Sequence, residues 1–215
     1  MPQVSATAAG EILLSWLEPR ADKGYRFRAA IGNGARWGVL VTIDDNRDVK
    51  MFSANLPGVA ELPGGALFAY RERSDRSAPS HPYATVIQLA RSADHGRTWA
   101  PLPSPHADGA TGARSFLSAF PAGSVLGLVW LDAQSQHHTH TPAANPASET
   151  DDWAGAVGLR YTSFRQDGMQ AAASSFIDPI TCECCPTSGA ATARGPVVVY
   201  RDRVAPPGTR PQDIR

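Results

Sequence analysis

The sequence has no excess of charge of either sign. Lysine and arginine total 20, aspartate and glutamate total 20, and the formal net charge is zero. Nothing in that balance calls for nucleic acid as a partner, and no cationic face calls for a membrane surface. No run of about 18 apolar residues exists to span a bilayer. The opening residues, MPQVSATAAGEILLSW, lack a basic start followed by an apolar stretch, so no export leader is read from them. Cysteine is nearly missing: three residues, Cys182, Cys184 and Cys185, an odd count that leaves one thiol over after any pairing.

What the chain does have is apolar residues and turn formers. It is 42% hydrophobic and carries 19 glycines and 18 prolines in 215 residues. With apolar runs interleaved throughout, that mixture indicates many turns rather than disorder. Four stretches share one pattern: residues 10–18 (GEILLSWLE), 64–72 (GGALFAYRE), 123–132 (GSVLGLVWLD) and 195–202 (GPVVVYRD). Each starts at glycine, runs through apolar residues to an aromatic, and places an acid two positions later: Trp16 and Glu18, Tyr70 and Glu72, Trp130 and Asp132, Tyr200 and Asp202. Short apolar runs of this kind, bounded by glycine, are expected as strands buried on both faces.

A second element follows these strands. Ser92-Ala93-Asp94-His95-Gly96-Arg97-Thr98-Trp99 comes after the second of them, with a strand-like run, TVIQLARS, just before it. A weaker copy is AIGNGARW at residues 30–37, and a degenerate one is YTSFRQDG at 161–168. The expected turn uses Asp94 to accept backbone N–H groups, Gly96 to take a positive φ, and Ser92 and Thr98 as short donors and acceptors. Trp99 is expected to fold back between adjacent sheets. Asp94 is thereby a turn former rather than a catalytic acid. Units of about 55 to 72 residues, each made of several short strands, read as propeller blades. The chain is expected to be one all-β domain over residues 1–215, with units opening near 10, 64, 123 and 195.

The turn SADHGRTW resembles the Asp box, S-x-D-x-G-x-T-W, of sialidases and related BNR-repeat β-propellers. A narrower resemblance, to bacterial exo-α-sialidase-like proteins, rests on Cys182-Glu183-Cys184-Cys185-Pro186-Thr187, on GPVVVYRDR from Gly195, on Asp213-Ile214-Arg215, and on Trp130-Leu131-Asp132. It implies a six-bladed propeller of which about three blades and the start of a fourth are visible here. The sequence departs from that pattern in places. Ala113-Arg114-Ser115-Phe116 stands where E-H-G-F is usual, WLDAQ stands for WLDGR, and Arg210-Pro211-Gln212-Asp213-Ile214 stands for E-I-R-D-I. The family is exported, which this chain itself does not signal. A partial ring would leave a blade face and a strand edge uncovered, inviting self-association.

The resemblance implies chemistry on a terminal acidic sugar. Arginines hold the substrate carboxylate through paired hydrogen bonds, a tyrosine beside a carboxylate is the nucleophile, and a second acid protonates the leaving oxygen. The expected inner-strand groups are Glu18, Glu72, Asp132 and Asp202 with Arg71, Arg73, Arg201 and Arg203; Tyr70 and Tyr200 are nucleophiles by type. Tyr200-Arg201-Asp202-Arg203 is the leading cluster, with Asp132 beside it. The usual R-I-P or R-L-P start motif is absent, so the arginine set has no anchor. The alternatives are a propeller that binds glycans or proteins without catalysis, and an inactive fragment. No cofactor is expected. The three cysteines leave open a vicinal disulfide, a pairing of Cys182 with either neighbour, or a thiolate metal site to which His137, His138 or His140 could add a ligand.

Overall fold

The computed structural model describes residues 2–38, 40–45, 56–81, 83–106, 110–134, 157–203 and 212–214, and among them the regular structure is β throughout. The first sheet is formed by β1 (Gln3–Ala6), β2 (Ile12–Pro19), β3 (Tyr25–Gly32) and β4 (Val41–Asp44). The second contains β5 (Gly58–Glu61), β6 (Leu67–Ser74), β7 (Thr85–Ser92) and β8 (Ala100–Leu102). The third contains β9 (Gly112–Ala122), β10 (Val125–Gln134), β11 (Gly158–Phe164) and β12 (Gln170–Asp178). A hairpin of β13 (Ser188–Thr192) and β14 (Gly195–Val199) follows, then the pair β15 (Arg201–Arg203) and β16 (Gln212–Ile214).

Every sheet is an antiparallel meander in chain order. The first strands of successive sheets, β1, β5, β9 and β13, touch one another in turn. Face-to-face meanders arranged along a line of first strands are a partial β-propeller, as expected from the repeats. The repeated glycines lie one strand into each unit. Gly10, Gly64 and Gly123 stand in the turns from first to second strand and Gly195 opens its second strand, so the repeated apolar runs are β2, β6, β10 and β14.

Three apolar layers join the sheets. Leu13, Leu17, Phe27 and Ala29 of the first sheet pack on Val59, Leu67 and Ala69 of the second. Phe68, Tyr70, Ile87 and Leu89 of the second pack on Leu117, Leu126, Leu128, Trp130 and Phe164 of the third. Phe120, Val129, Leu131 and Leu159 of the third receive Val198 and Tyr200. Alternation along β6 therefore sends Leu67 and Ala69 one way and Phe68 and Tyr70 the other. Side chains of this size contribute about 1.5–3 kcal/mol each when fully buried.

Burial on both faces holds for β6 and β10 and fails for the outer two. In β2, buried and half-buried residues alternate, and β14 is largely exposed. The reason is the neighbour count: β6 and β10 have an apolar layer on each side, whereas the described layers cover β2 and β14 on one side only.

The two ends of the sheets differ. One end carries the short turns 7–11, 62–66 and 93–99, and these turns are tied together between sheets. The Ala8 amide donates to Glu61 Oε2 at 2.5 Å, His95 Nε2 lies 3.2 Å from Glu11 Oε2, and Gln166 Nε2 donates to the Gly64 carbonyl at 3.3 Å. The opposite end carries the longer connections and the ends of β2, β6 and β10, where the acids lie.

Candidate functional site

The aromatic-x-acid ending acquires a partner through strand register. Trp16 pairs with Arg28 across β2–β3, and Trp130 pairs with Arg160 across β10–β11. In both sheets that arginine reaches the acid two residues on. Arg160 donates to Asp132 Oδ2 at 3.2 Å, and Arg28 Nε lies 3.9 Å from Glu18 Oε2. In the second sheet Leu89 stands opposite Tyr70, and Arg71 instead crosses to Asp44 of the first sheet. These acids sit on second strands rather than on the innermost ones, which corrects the expected placement of Glu18, Glu72 and Asp132. The innermost strands β1 and β5 are four residues each, and their one charged side chain, Glu61, accepts the Ala8 amide.

Asp132 is the most enclosed of these groups, at 1% exposure. Its Oδ2 accepts from Trp130 Nε1 at 3.1 Å and from Arg160, and lies 3.6 Å from Arg114 Nε. Oδ1 is buried with no hydrogen-bond partner among the described residues. Arg114 is fully buried, and its terminal nitrogens donate to the Thr85 carbonyl at 3.2 Å and the Ala110 carbonyl at 2.7 Å. Thr85 also exchanges two hydrogen bonds with the Arg114 backbone. Arg114 thus clamps the second sheet to the third. Just past it, the β9–β10 register shifts between Val129 and Leu131, and Phe116 takes φ 55°. A bulge with a bulky residue in the left-handed region bends the innermost strand at that point. The Arg160 guanidinium lies 4.6 Å over the Phe176 ring, held between that ring and Asp132.

Tyr200 follows β14, and its hydroxyl donates to Asp178 Oδ2 at 2.9 Å. Asp178 ends β12 and also accepts the Ile180 amide. Arg201 is exposed, with Nη1 3.9 Å from Cys185 Sγ. Asp202 is buried and bridges to Thr181. Arg203 continues β15, which pairs with Gln212–Ile214. Tyr70 is enclosed between sheets, and burial pushes its phenol up to about 12. It is a packing residue, which corrects its place among the nucleophiles.

The turn after β7 is held by its own side chains. Asp94 accepts from the Thr98 hydroxyl at 2.6 Å, the Thr98 amide at 2.9 Å and the Ser92 hydroxyl at 2.7 Å. Those donors hold its carboxyl well below the usual carboxylate range, the Thr98 hydroxyl foremost. Gly96 has φ 83°, and its carbonyl accepts Trp99 Nε1 at 3.1 Å. The turn after β3 uses Asn33 in the same way, accepting from the Ala35 and Arg36 amides at 3.2 and 2.8 Å.

Among the cysteines, Cys182 and Cys185 form a disulfide and Cys184 is an exposed free thiol. His137, His138, His140 and Arg210 lie outside the described residues. Two cavities, of about 450 and 220 Å³, lie between the first and second sheets near Trp99. Of the expected site residues, Gly96 and Trp99 line the larger, and Arg71 and Trp99 the smaller. No described helix is long and apolar enough to cross a membrane.

Sequence reading missed Asp178, Asp44 and the pairing role of Arg28 and Arg160. Register is the signal that finds the arginines. Asp178 carried none, because 22 residues separate it from Tyr200.

No family model matches the sequence, and a search of curated proteins returns no match. Solved structures do resemble it in fold. A protein of unknown function from Dyadobacter fermentans superposes with a TM-score of 0.62 at 16% identity, over 98% of this chain and 50% of its own. The α-L-arabinofuranosidase of Fusarium graminearum, solved with arabinobiose, gives 0.59 at 15% identity, over 98% of this chain and 57% of its own. A Hadza microbial sialidase gives 0.56 at 14% identity, over 99% and 42%. The chain spans about half the length of these structures. At such identities the likeness establishes the propeller fold and nothing finer.

Proposed function

We propose that residues 1–215 belong to a sialidase-like glycoside hydrolase propeller whose site opens at the end carrying the long connections. Its substrate would be a glycan ending in an acidic sugar. The observation that carries this reading is the Tyr200 hydroxyl donating to the Asp178 carboxylate at 2.9 Å. In this chemistry Asp178 takes the phenol proton as Tyr200 Oη attacks the anomeric carbon, and a second acid protonates the leaving oxygen. Arg160 would hold the sugar carboxylate, a planar group suited to a guanidinium. Asp132 and Phe176 position Arg160, which gives Asp132 a supporting role rather than that of proton donor. Arg201, Asp202 and Arg203 continue the chain directly from Tyr200 and would complete the site. That the solved structures of like fold include a sialidase and an arabinofuranosidase supports a glycosidase reading over other propeller activities.

The test uses fluorogenic sialosides and α-L-arabinofuranosides, with ligand-observed NMR for binding. Expected is binding and turnover of the sialoside, turnover lost in Tyr200→Phe with binding kept, and binding weakened about 10-fold or more in Arg160→Ala. Turnover unchanged in Tyr200→Phe, or preference for the neutral arabinofuranoside, overturns the assignment. Sialoside binding without turnover by the native chain would favour the non-catalytic glycan-binding propeller.

A further inference from the structure

The stretch Cys182-Glu183-Cys184-Cys185 joins the third sheet to the β13–β14 hairpin and is pinned on both sides. The Thr181 amide and hydroxyl both donate to the Val157 carbonyl, at 2.7 and 2.9 Å. The Cys182 amide donates to the Arg201 carbonyl at 2.9 Å, and the Thr187 hydroxyl donates to the Phe116 carbonyl at 2.7 Å. Between these anchors the three sulfur atoms lie within 4.8 Å of one another, with Cys182 Sγ and Cys184 Sγ 3.7 Å apart. Cys182 is buried, Cys185 half-buried and Cys184 exposed, so the cluster has one open side. Neither the fold nor the proposed glycosidase chemistry uses it.

We propose that the reduced segment is a three-thiolate site for Cu(I), and that the Cys182–Cys185 disulfide is its closed state. Opening it takes a dithiol reductant. Two electrons and two protons convert the disulfide to two thiols while the reductant becomes a disulfide. Binding then replaces the three thiol protons by the metal, so it strengthens as pH rises. The donor set selects the ion. Zinc takes four ligands in a closed tetrahedral site, and among the described residues the group of mutually close ligand atoms is the three sulfurs alone, which the neighbouring Glu183 carboxylate does not join. A soft monovalent d¹⁰ ion accepts three thiolates, and thiolate softness favours it. Three thiolates and Cu(I) sum to a charge of minus two, and the Arg201 guanidinium, 3.9 Å from Cys185 Sγ, offsets one of these.

The experiment titrates the full chain with Cu(I) under anaerobic conditions against a chromophoric Cu(I) chelator, before and after reduction and removal of the reductant. Expected is one equivalent withheld by the reduced chain and none by the disulfide form. Cys184→Ser, at an exposed position, should keep the fold by circular dichroism. It should weaken binding by more than the ~10–100-fold typical of losing an outer-shell partner. Arg201→Gln should weaken it less. Undiminished binding in Cys184→Ser would assign the copper to other groups, such as the histidines at 137–140, and overturn the proposal. Equal binding by the disulfide form, or preference for Zn(II) over Cu(I) in direct competition, would also overturn it.

Discussion

Strands β10 and β14 are two copies of one sequence pattern with opposite fates. Both start at glycine, run through apolar residues, and end in an aromatic, a spacer and an acid. In β10, Leu126, Leu128, Val129, Trp130 and Leu131 are all at or below 1% exposure. In β14, Val197 and Val199 are each 48% exposed. The endings differ as well. Trp130 donates to Asp132 of its own motif, while Tyr200 reaches across to Asp178. An apolar run sets which strand can be buried on both faces; the sheets packed on either side set whether it is. Where both faces are covered, the terminal acid is drawn into a buried arginine network. Where one is open, the tyrosine stays half-buried and Arg201 is exposed, while Asp202 is buried beside Thr181.

The largest test of this contrast compares a deletion in each copy. Trp130→Ala removes the biggest fully buried side chain among the described residues and a donor to Asp132. It should cost about 3–5 kcal/mol, as large core truncations do. Val197→Ala removes methyl groups of a half-exposed side chain outside the described apolar layers and should change stability by no more than ~0.5 kcal/mol. Urea unfolding of both variants checks the pair. Similar losses at the two positions would mean that a further surface covers β14 in solution.

A middle-sized effect is expected at the junction between the two copies. A Cβ at Gly189 of β13 would clash with the edge of the Phe120 ring of β9. Gly189→Ala should therefore loosen the hairpin by about 1–3 kcal/mol, the usual cost of overpacking. In hydrogen exchange, amides of residues 188–199 should lose protection while those of β10 and β11 keep theirs. Loss of protection in β10 as well would show that hairpin and third sheet unfold as one unit.

The same contrast explains how much could be read beforehand. β6 and β10 were legible because continuous apolar runs have few other uses. The first strands were not, since QVSA, GVAE and SGAAT are too short and too small in side chain to carry a period. Their position depends on a turn at glycine and on pairing with the strand that follows. Local chemistry was legible where all partners lie within a few residues, as at Asp94. It was not legible where register or a distant loop supplies the partner, as for Arg160 with Asp132, Arg114 with Thr85, and Tyr200 with Asp178. The cysteine pairing stood open for a related reason. Three sulfurs within four residues allow every pairing, and only the anchoring of Cys182 to Arg201 and of Thr187 to Phe116 selects one path for the segment.

The smallest effect belongs to the turns, where the donors and acceptors that set the shape are the turns' own residues. Two of them differ by one charge: Asp94 accepts donors as a carboxylate and Asn33 as a neutral amide. Asp94 is held below the ordinary carboxylate value of about 3.9 because the Thr98 and Ser92 donors prefer the charged form. A carboxyl that is more acidic folded than unfolded stabilises the fold above its unfolded value. That contribution disappears as pH falls through the folded value. Asp94→Asn should therefore lower the thermal midpoint by a constant amount from neutral pH down to about 5, and the gap should close steadily below about 4. Asn33→Ala should give a gap independent of pH over the same range. A constant gap for Asp94→Asn down to the acid limit would mean that the carboxylate geometry, and not its charge, holds the turn.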